Sequence, residues 1–407
     1  MTADTSAAPV PNARLTLWLC FMVAALEGYD LQVLSVAGPL LREAMQLNPK
    51  QMGIAFSASL IGLALGAAYG GTLADRIGRK KVLIVSVAGM SLFTLATALA
   101  QDFQTLMIVR ILTGVALGGA MPNLIAISAS VSGKGRTTSK VTAMICGMPA
   151  GGIVAALSGH LLAAKFGWHS LFVLGGGLTI LIVPLLMWGL TETKPDIQQQ
   201  RQRASWQQSL FGEGRASMTL MLWLLFILTL SMLSLFTGWA ATLVVDKGLP
   251  ASAGFSAMLA INIGGIAGAL IFSALCDSWN IRSTMLVIYA GMAISLWLFS
   301  SSNAASAVIP LAGLVGFFVL GAQFTLYGIN PQLYPAANYG TGVGAAVAAG
   351  RIGSIIGPIV AGYAMSHGST ANDVVVGMVP VALAAGAVLL GLAAVSGNAL
   401  KKKPAAH

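Results

Sequence analysis

The chain has 407 residues, 57% hydrophobic and 8% charged, with a mean hydropathy of +0.83. That balance excludes an ordinary soluble protein of one or two domains and fits a polytopic helical membrane protein. The formal net charge of +10 does not point to nucleic acid, because the bases lie in short loops and are not interleaved with aromatic residues on a soluble face.

In chain order, the polar segment from Met1 to Ala13 lacks the basic patch and small-residue cleavage site of a signal peptide, so the first span is expected to stay in the protein. Apolar runs then begin near Leu15, Gln51, Val82, Leu106, Thr138 and Ser170. After one long polar connection, further runs begin near Met218, Ala253, Ser283, Ala305, Thr341 and Val374. Each can cross about 30 Å of hydrocarbon as a helix, which predicts twelve spans. The predicted organisation is an N-terminal segment (1–14), a six-helix half (15–190), a central linker (191–217), a second six-helix half (218–397) and a tail (398–407). With an even number of spans the termini share one side. Most of the 22 bases fall there, which predicts that both are cytoplasmic. Cys20, Cys146 and Cys276 sit far apart in apolar runs without metal spacing, so packing is their expected role.

Between the second and third runs lies Gly71-Thr72-Leu73-Ala74-Asp75-Arg76-Ile77-Gly78-Arg79-Lys80-Lys81, with five charges, four of them basic. Its glycines permit a tight turn between helix ends. A worn copy appears in the second half: Gly62, Gly66, Leu73 and Asp75 map at constant offset onto Gly264, Gly268, Leu275 and Asp277, followed by Ser278-Trp279-Asn280-Ile281-Arg282. Two parallel halves are expected from such an echo. Glycines recur at four-residue spacing, which lets helices pack closely. Gly147-Met148-Pro149-Ala150-Gly151-Gly152 in the fifth span is similar to a glycine-proline motif of antiporters, with Met148 interrupting it.

Few ionisable residues lie deep in the spans, where a charge costs at least ~2.5 kcal/mol. Glu27 and Asp30 stand three apart and share a helix face, with Gly28 between them. At 1.5 Å per residue Glu27 comes about 18 Å, and Arg351 of the eleventh span about 17 Å, from the cytoplasmic surface, both near midplane. Arg110 of the fourth span lies at a level close to Asp30. These levels pair Asp30 with Arg110, and Glu27 with Arg351 or with substrate. A carboxylate desolvated in a cavity can carry a proton near neutral pH. An arginine keeps its proton and is suited to hold an anion. Asn123, Trp239, Asn262, Gln323, Tyr327 and Asn330 complete the candidate substrate site, each taken alone being more readily a packing residue or a satisfied hydrogen bond than a ligand contact.

The charged stretch resembles the signature between the second and third helices of the major facilitator superfamily. Glu27-Gly28-Tyr29-Asp30, Arg110 through Gly114 with Met121-Pro122-Asn123, and Gly350-Arg351-Ile352-Gly353 through Gly357-Pro358 further resemble its aromatic acid:proton symporter family, nearest the branch that takes hydroxyphenylpropionates. The likeness implies an all-α major facilitator fold of two pseudo-symmetric halves. It also implies roles in proton coupling for Glu27, Asp30 and Arg110 and in substrate binding for Arg351 and Arg110. Gly71, Asp75, Arg76, Gly78, Arg79, Asp277 and Arg282 are implied to gate.

The sequence reading is therefore a monomeric, non-enzymatic transporter of a bacterial inner membrane, importing a small aromatic acid anion with a proton by alternating access. No cofactor beyond the proton gradient is expected. Protons and membrane lipid are its other partners, and nucleic acid is not one. The alternatives are a proton-driven exporter of drugs or metabolites, suggested by the fifth-span motif, and a transporter-like membrane sensor.

Overall fold

A computed structural model describes residues 13–131, 143–191, 206–329, 333–334 and 339–396. Among the described residues there is no strand, and twelve helices are long and apolar enough to cross a membrane. They are α1 (Ala13–Ala44), α2 (Pro49–Gly70), α3 (Arg79–Thr97), α4 (Phe103–Ser128), α5 (Ala143–Phe166) and α6 (His169–Gly189) in the first half. The second half holds α7 (Ala216–Asp246), α8 (Ala251–Cys276), α9 (Ile281–Ser301), α10 (Ala305–Ile329), α11 (Thr341–Ser366) and α12 (Ala371–Val395). The described end of the central connection is itself folded. A short helix, Trp206–Phe211, is tied to α7 by the Thr219 hydroxyl, which donates to the Leu210 carbonyl at 2.7 Å.

Local chemistry sets the helix ends. Asn48 caps α2 in a reciprocal box with Gln51, and Pro49 stands in the first turn, where its missing N–H costs nothing. Asp102 caps α4, and Thr370 with Asp373 forms the same kind of box on α12. In the charged stretch the helix of α2 runs on to Ile77, and the turn into α3 is the single residue Gly78 at φ 102°, a conformation that favours glycine. Lys80 donates to the Met187 carbonyl at 2.7 Å, placing its charge at the C-terminus of α6 where the helix dipole is negative. The worn copy turns differently. Trp279 and Asn280 are extended, and the Asn280 side chain accepts from the Arg282 N–H at 3.0 Å, so no glycine is required.

The internal repeat is a repeat of packing. Gly62 and Gly66 of α2 sit against the carbonyls of Ile111 and Val115 in α4, and Gly264 and Gly268 of α8 sit against those of Gly313 and Phe317 in α10. The offset of both members of each pair is the same, so the close helix contact was duplicated with the sequence. Gly147 and Gly151 of α5 likewise lie on the Phe21 and Ala25 carbonyls of α1, and Gly28 lies on the backbone of Met148. The Gly147–Gly152 stretch thus forms the seat of α5 on α1, and its glycines are explained without reference to the direction of transport.

The halves meet through α1 with α7, α2 with α11, and α5 with α8. Arg42 reaches Asp246 at 2.8 Å, Ser35 donates to the Thr237 carbonyl at 2.6 Å, and Ser57 donates to the Ile355 carbonyl at 2.7 Å. His160 and Ser256 lie 3.3 Å apart. Among the described residues, these and the other hydrogen bonds between the halves fall in the parts of the helices away from the termini, so the molecule is latched on that face.

Candidate functional site

Asp30 of α1 and Arg110 of α4 form an ion pair, as their levels in the membrane predict. Arg110 Nη2 approaches Asp30 Oδ2 at 2.8 Å, with the side chains 1% and 3% exposed. The surroundings satisfy most of what the charges lack. Arg110 Nη2 also donates to the Asp30 carbonyl at 3.1 Å, its Nε donates to Ser59 Oγ at 2.9 Å, and the Thr94 hydroxyl donates to the Asp30 carboxylate. Phe172 of α6 lies beneath the guanidinium, 5.8 Å from its carbon to the ring centre. Four helices, α2, α3, α4 and α6, therefore converge with α1 on the pair, and a buried pair of this kind depends on such added hydrogen bonds. Ser59, Thr94 and Phe172 are not singled out by sequence, since their residue types recur in nearly every span.

Glu27, one turn before Asp30, is in the opposite condition. It is 1% exposed, and its Oε2 has no hydrogen-bond partner among the described residues. Arg351 on α11 is near enough to act on it electrostatically, yet Arg351 makes no ion pair or hydrogen bond among the described residues. Its side chain is only half-buried. A guanidinium inside a span carries five donors and keeps its proton, which suits it chemically to hold an anion.

Gly350 beside Arg351 packs on Phe226 and Leu230 of α7, and Gly353 packs on the Ile227 carbonyl. The ring of Phe226 lies 5.9 Å from that of Tyr327 on α10, and the Tyr327 hydroxyl accepts from Gln323 Nε2 at 2.9 Å. Phe226 thus lies between Tyr327 and the residue before Arg351, and Arg351, Gln323 and Tyr327 are all half-buried.

The other candidates are occupied with structure. Trp239 is fully buried, donates from Nε1 to the Pro358 carbonyl at 3.0 Å and packs edge-on against Phe56. Asn262 exchanges two amide hydrogen bonds with Gln32 of α1, at 2.7 and 3.0 Å. Sequence reasoning missed Gln32, although it meets the same criterion, an uncharged amide inside a span, that selected Gln323. Asn123 donates to the Gly119 carbonyl at 2.7 Å, where α4 breaks between Gly118 and Ala120. Asn330 lies outside the described residues.

Of the expected gating residues, Gly71 lies in the last turns of the α2 helix, Gly78 forms the turn, Arg79 opens α3, and Arg76 and Arg282 are exposed on the face that bears the termini. The side chains of Asp75 and Asp277 lie outside what the structure describes. No group of three metal-ligating side chains occurs among the described residues.

Residues 20–358 match the model of the Major Facilitator Superfamily. The chain is 38% identical over 386 residues to the 3-(3-hydroxy-phenyl)propionate transporter of Escherichia coli strain K12, covering 95% of each. It is 31% identical to the gallate transporter of Pseudomonas putida, covering 87% of this chain and 86% of the other. Among solved structures, a D-xylose-proton symporter superposes with a TM-score of 0.75 at 16% identity, covering 92% of this chain and 97% of that one, which is a likeness of fold.

Proposed function

The chain belongs to the major facilitator superfamily, and from that membership we propose that it imports a small aromatic carboxylate together with a proton. The family is one of multi-pass membrane transporters and not of enzymes. Relatives that span nearly the whole chain carry the names of aromatic acid transporters, which supports the substrate class.

The observation that carries the reading is the unpaired state of Glu27 and Arg351 beside the fully paired Asp30 and Arg110. A substrate carboxylate supplies the acceptor that Arg351 lacks, in a planar two-point contact. Two carboxylates then face one guanidinium, and a proton on Glu27 restores electrical balance. Substrate and proton are thereby coupled: an anion on Arg351 favours the protonated acid, and a protonated acid leaves Arg351 free for the anion. The Asp30–Arg110 pair anchors α1 next to Glu27 and takes part in coupling through that position.

Transport follows when the two halves rock about this level, releasing the contacts at Arg42–Asp246, Ser35–Thr237 and Ser57–Ile355. With the termini in the cytoplasm of a bacterial inner membrane, the latched face is the outer one and the arrangement is poised to release substrate inward. The test is uptake by the purified protein in proteoliposomes of labelled 3-(3-hydroxyphenyl)propionate, gallate and benzoate. Accumulation that needs an inward proton gradient is expected. No uptake of any of the three, or uptake indifferent to the gradient, would overturn the reading.

A further inference from the structure

Gln323 and Tyr327 stand one turn apart on α10, and their neighbours Ala322 and Leu326 are fully buried while they are not. Among the described residues, the single hydrogen bond that either makes is the one between them, at 2.9 Å. That bond leaves a remainder. With the amide nitrogen donating to the phenol, the Tyr327 O–H proton and the Gln323 Oε1 are both unused. With the amide turned over, the Tyr327 oxygen and the amide N–H groups are unused instead. In either arrangement the pair offers at least one free donor and one free acceptor side by side. A phenolic hydroxyl, which both donates and accepts, is the group that satisfies both at once. A bare ring edge satisfies neither, and leaves two polar groups desolvated against carbon.

The position suits such a reader. Phe226 meets Gly350, the residue before Arg351, on one side and the Tyr327 ring on the other, so the backbone that carries Arg351 and the ring that carries the phenol flank one side chain of α7. We infer that Gln323 and Tyr327 are specificity-determining residues that recognise a hydroxyl on the ring of a substrate whose carboxylate is held by Arg351. The inference rests on the aromatic-carboxylate reading above. It adds that the site selects ring-hydroxylated acids over their unsubstituted analogues, and it names the side chains that do so.

The experiment is calorimetry on the purified full-length protein in detergent with 3-(3-hydroxyphenyl)propionate and with 3-phenylpropionate. The wild type is expected to prefer the hydroxylated acid by about fivefold to tenfold, the worth of a neutral hydrogen-bond pair. Tyr327→Phe keeps the ring against Phe226 and removes the hydroxyl. It should bring the two affinities within about twofold, by weakening the hydroxylated acid alone. Gln323→Leu, which removes the other partner, should do the same, and an unchanged unfolding midpoint of either variant shows that the fold is intact. Equal wild-type affinities, or equal weakening of both acids in Tyr327→Phe, would overturn the assignment of these residues and leave the aromatic-carboxylate reading standing. Binding of neither acid by the wild type would overturn both.

Discussion

Arg110 and Asp30 face each other at 2.8 Å in a space that almost excludes solvent, with Ser59 and Thr94 completing their hydrogen bonds. Removing one partner strands a buried charge, which costs about 3–5 kcal/mol, whereas removing both leaves neutral groups in a polar pocket. Asp30→Asn and Arg110→Gln should each lower the unfolding temperature in detergent sharply, and the double variant should recover most of the loss. Simple addition of the two single effects in the thermal cycle would show that the pair is not energetically coupled.

Glu27 should behave differently, because its Oε2 has no partner to strand. Glu27→Gln removes the charge without changing shape, so stability is expected to hold or rise slightly. Gradient-driven accumulation should be lost while exchange of labelled for unlabelled substrate across the membrane persists. Accumulation at the wild-type level in this variant would remove Glu27 from proton coupling and pass the role to Asp30.

Glycine substitutions separate contact from tolerance. A side chain at Gly151 meets the backbone carbonyl of Ala25 and cannot be relieved by a rotamer change, whereas nothing lies within 4 Å of a Cβ built at Gly177. Gly151→Leu should destabilise by at least about 1–3 kcal/mol. Gly177→Ala should be neutral or stabilising by up to about 1 kcal/mol, since glycine is a poor helix former. Unfolding midpoints measured side by side give the comparison, and equal values would mean that α5 is not seated on α1 through Gly151.

Much of this was legible in the residues themselves. Twelve apolar runs at membrane length give twelve helices, and the Asp30–Arg110 pair follows from counting 1.5 Å per residue along helices of known direction. What failed to show was which polar side chains already have partners. Trp239 and Asn262 look like ligand contacts by residue type and span. Their partners, the Pro358 carbonyl and Gln32, depend on helix rotation and on pairings far apart in sequence. Glu27 and Arg351 stand out for the converse reason, since the missing hydrogen bond of Glu27 Oε2 and of Arg351 among the described residues is visible only once their neighbours are placed.

The exposed cap of α4 carries a pH dependence of known sign. Asp102 accepts from the Thr105 N–H and hydroxyl, both at 2.8 Å. These bonds hold its carboxyl below the ordinary value of 3.8, led by the backbone N–H. The folded state therefore binds this proton more weakly than the unfolded chain. The capping contribution is complete above the ordinary carboxylate range and fades as pH falls below it. Asp102→Asn keeps an acceptor, so unfolding midpoints taken from about pH 5 down to about pH 3 should fall less steeply than in wild type. Superimposable curves would mean that the α4 cap does not contribute.

Arg351 gives the decisive test of how the substrate is held. It is half-buried in a span, it has neither an ion pair nor a hydrogen bond among the described residues, and its nearest electrostatic influence is on Glu27. A guanidinium presents two parallel donors to both oxygens of a carboxylate, and a lysine ammonium at the same place presents a point charge. Arg351→Lys should keep the charge and still lose affinity for an aromatic acid. Arg351→Ala should lose more, on the order of 2–5 kcal/mol for truncating one partner of a buried charge pair. If Arg351 served only as counter-ion to Glu27, the combined Glu27→Gln and Arg351→Gln variant would regain the binding that either change alone weakens. If it holds the substrate, the combined variant stays as weak as Arg351→Gln, because the acceptor it must satisfy arrives with the ligand. Equal affinity of wild type and Arg351→Ala for 3-(3-hydroxyphenyl)propionate, measured by calorimetry in detergent, would take Arg351 out of the site. Arg110 would then be the remaining intramembrane guanidinium to test, and reaching it would require opening its pair with Asp30.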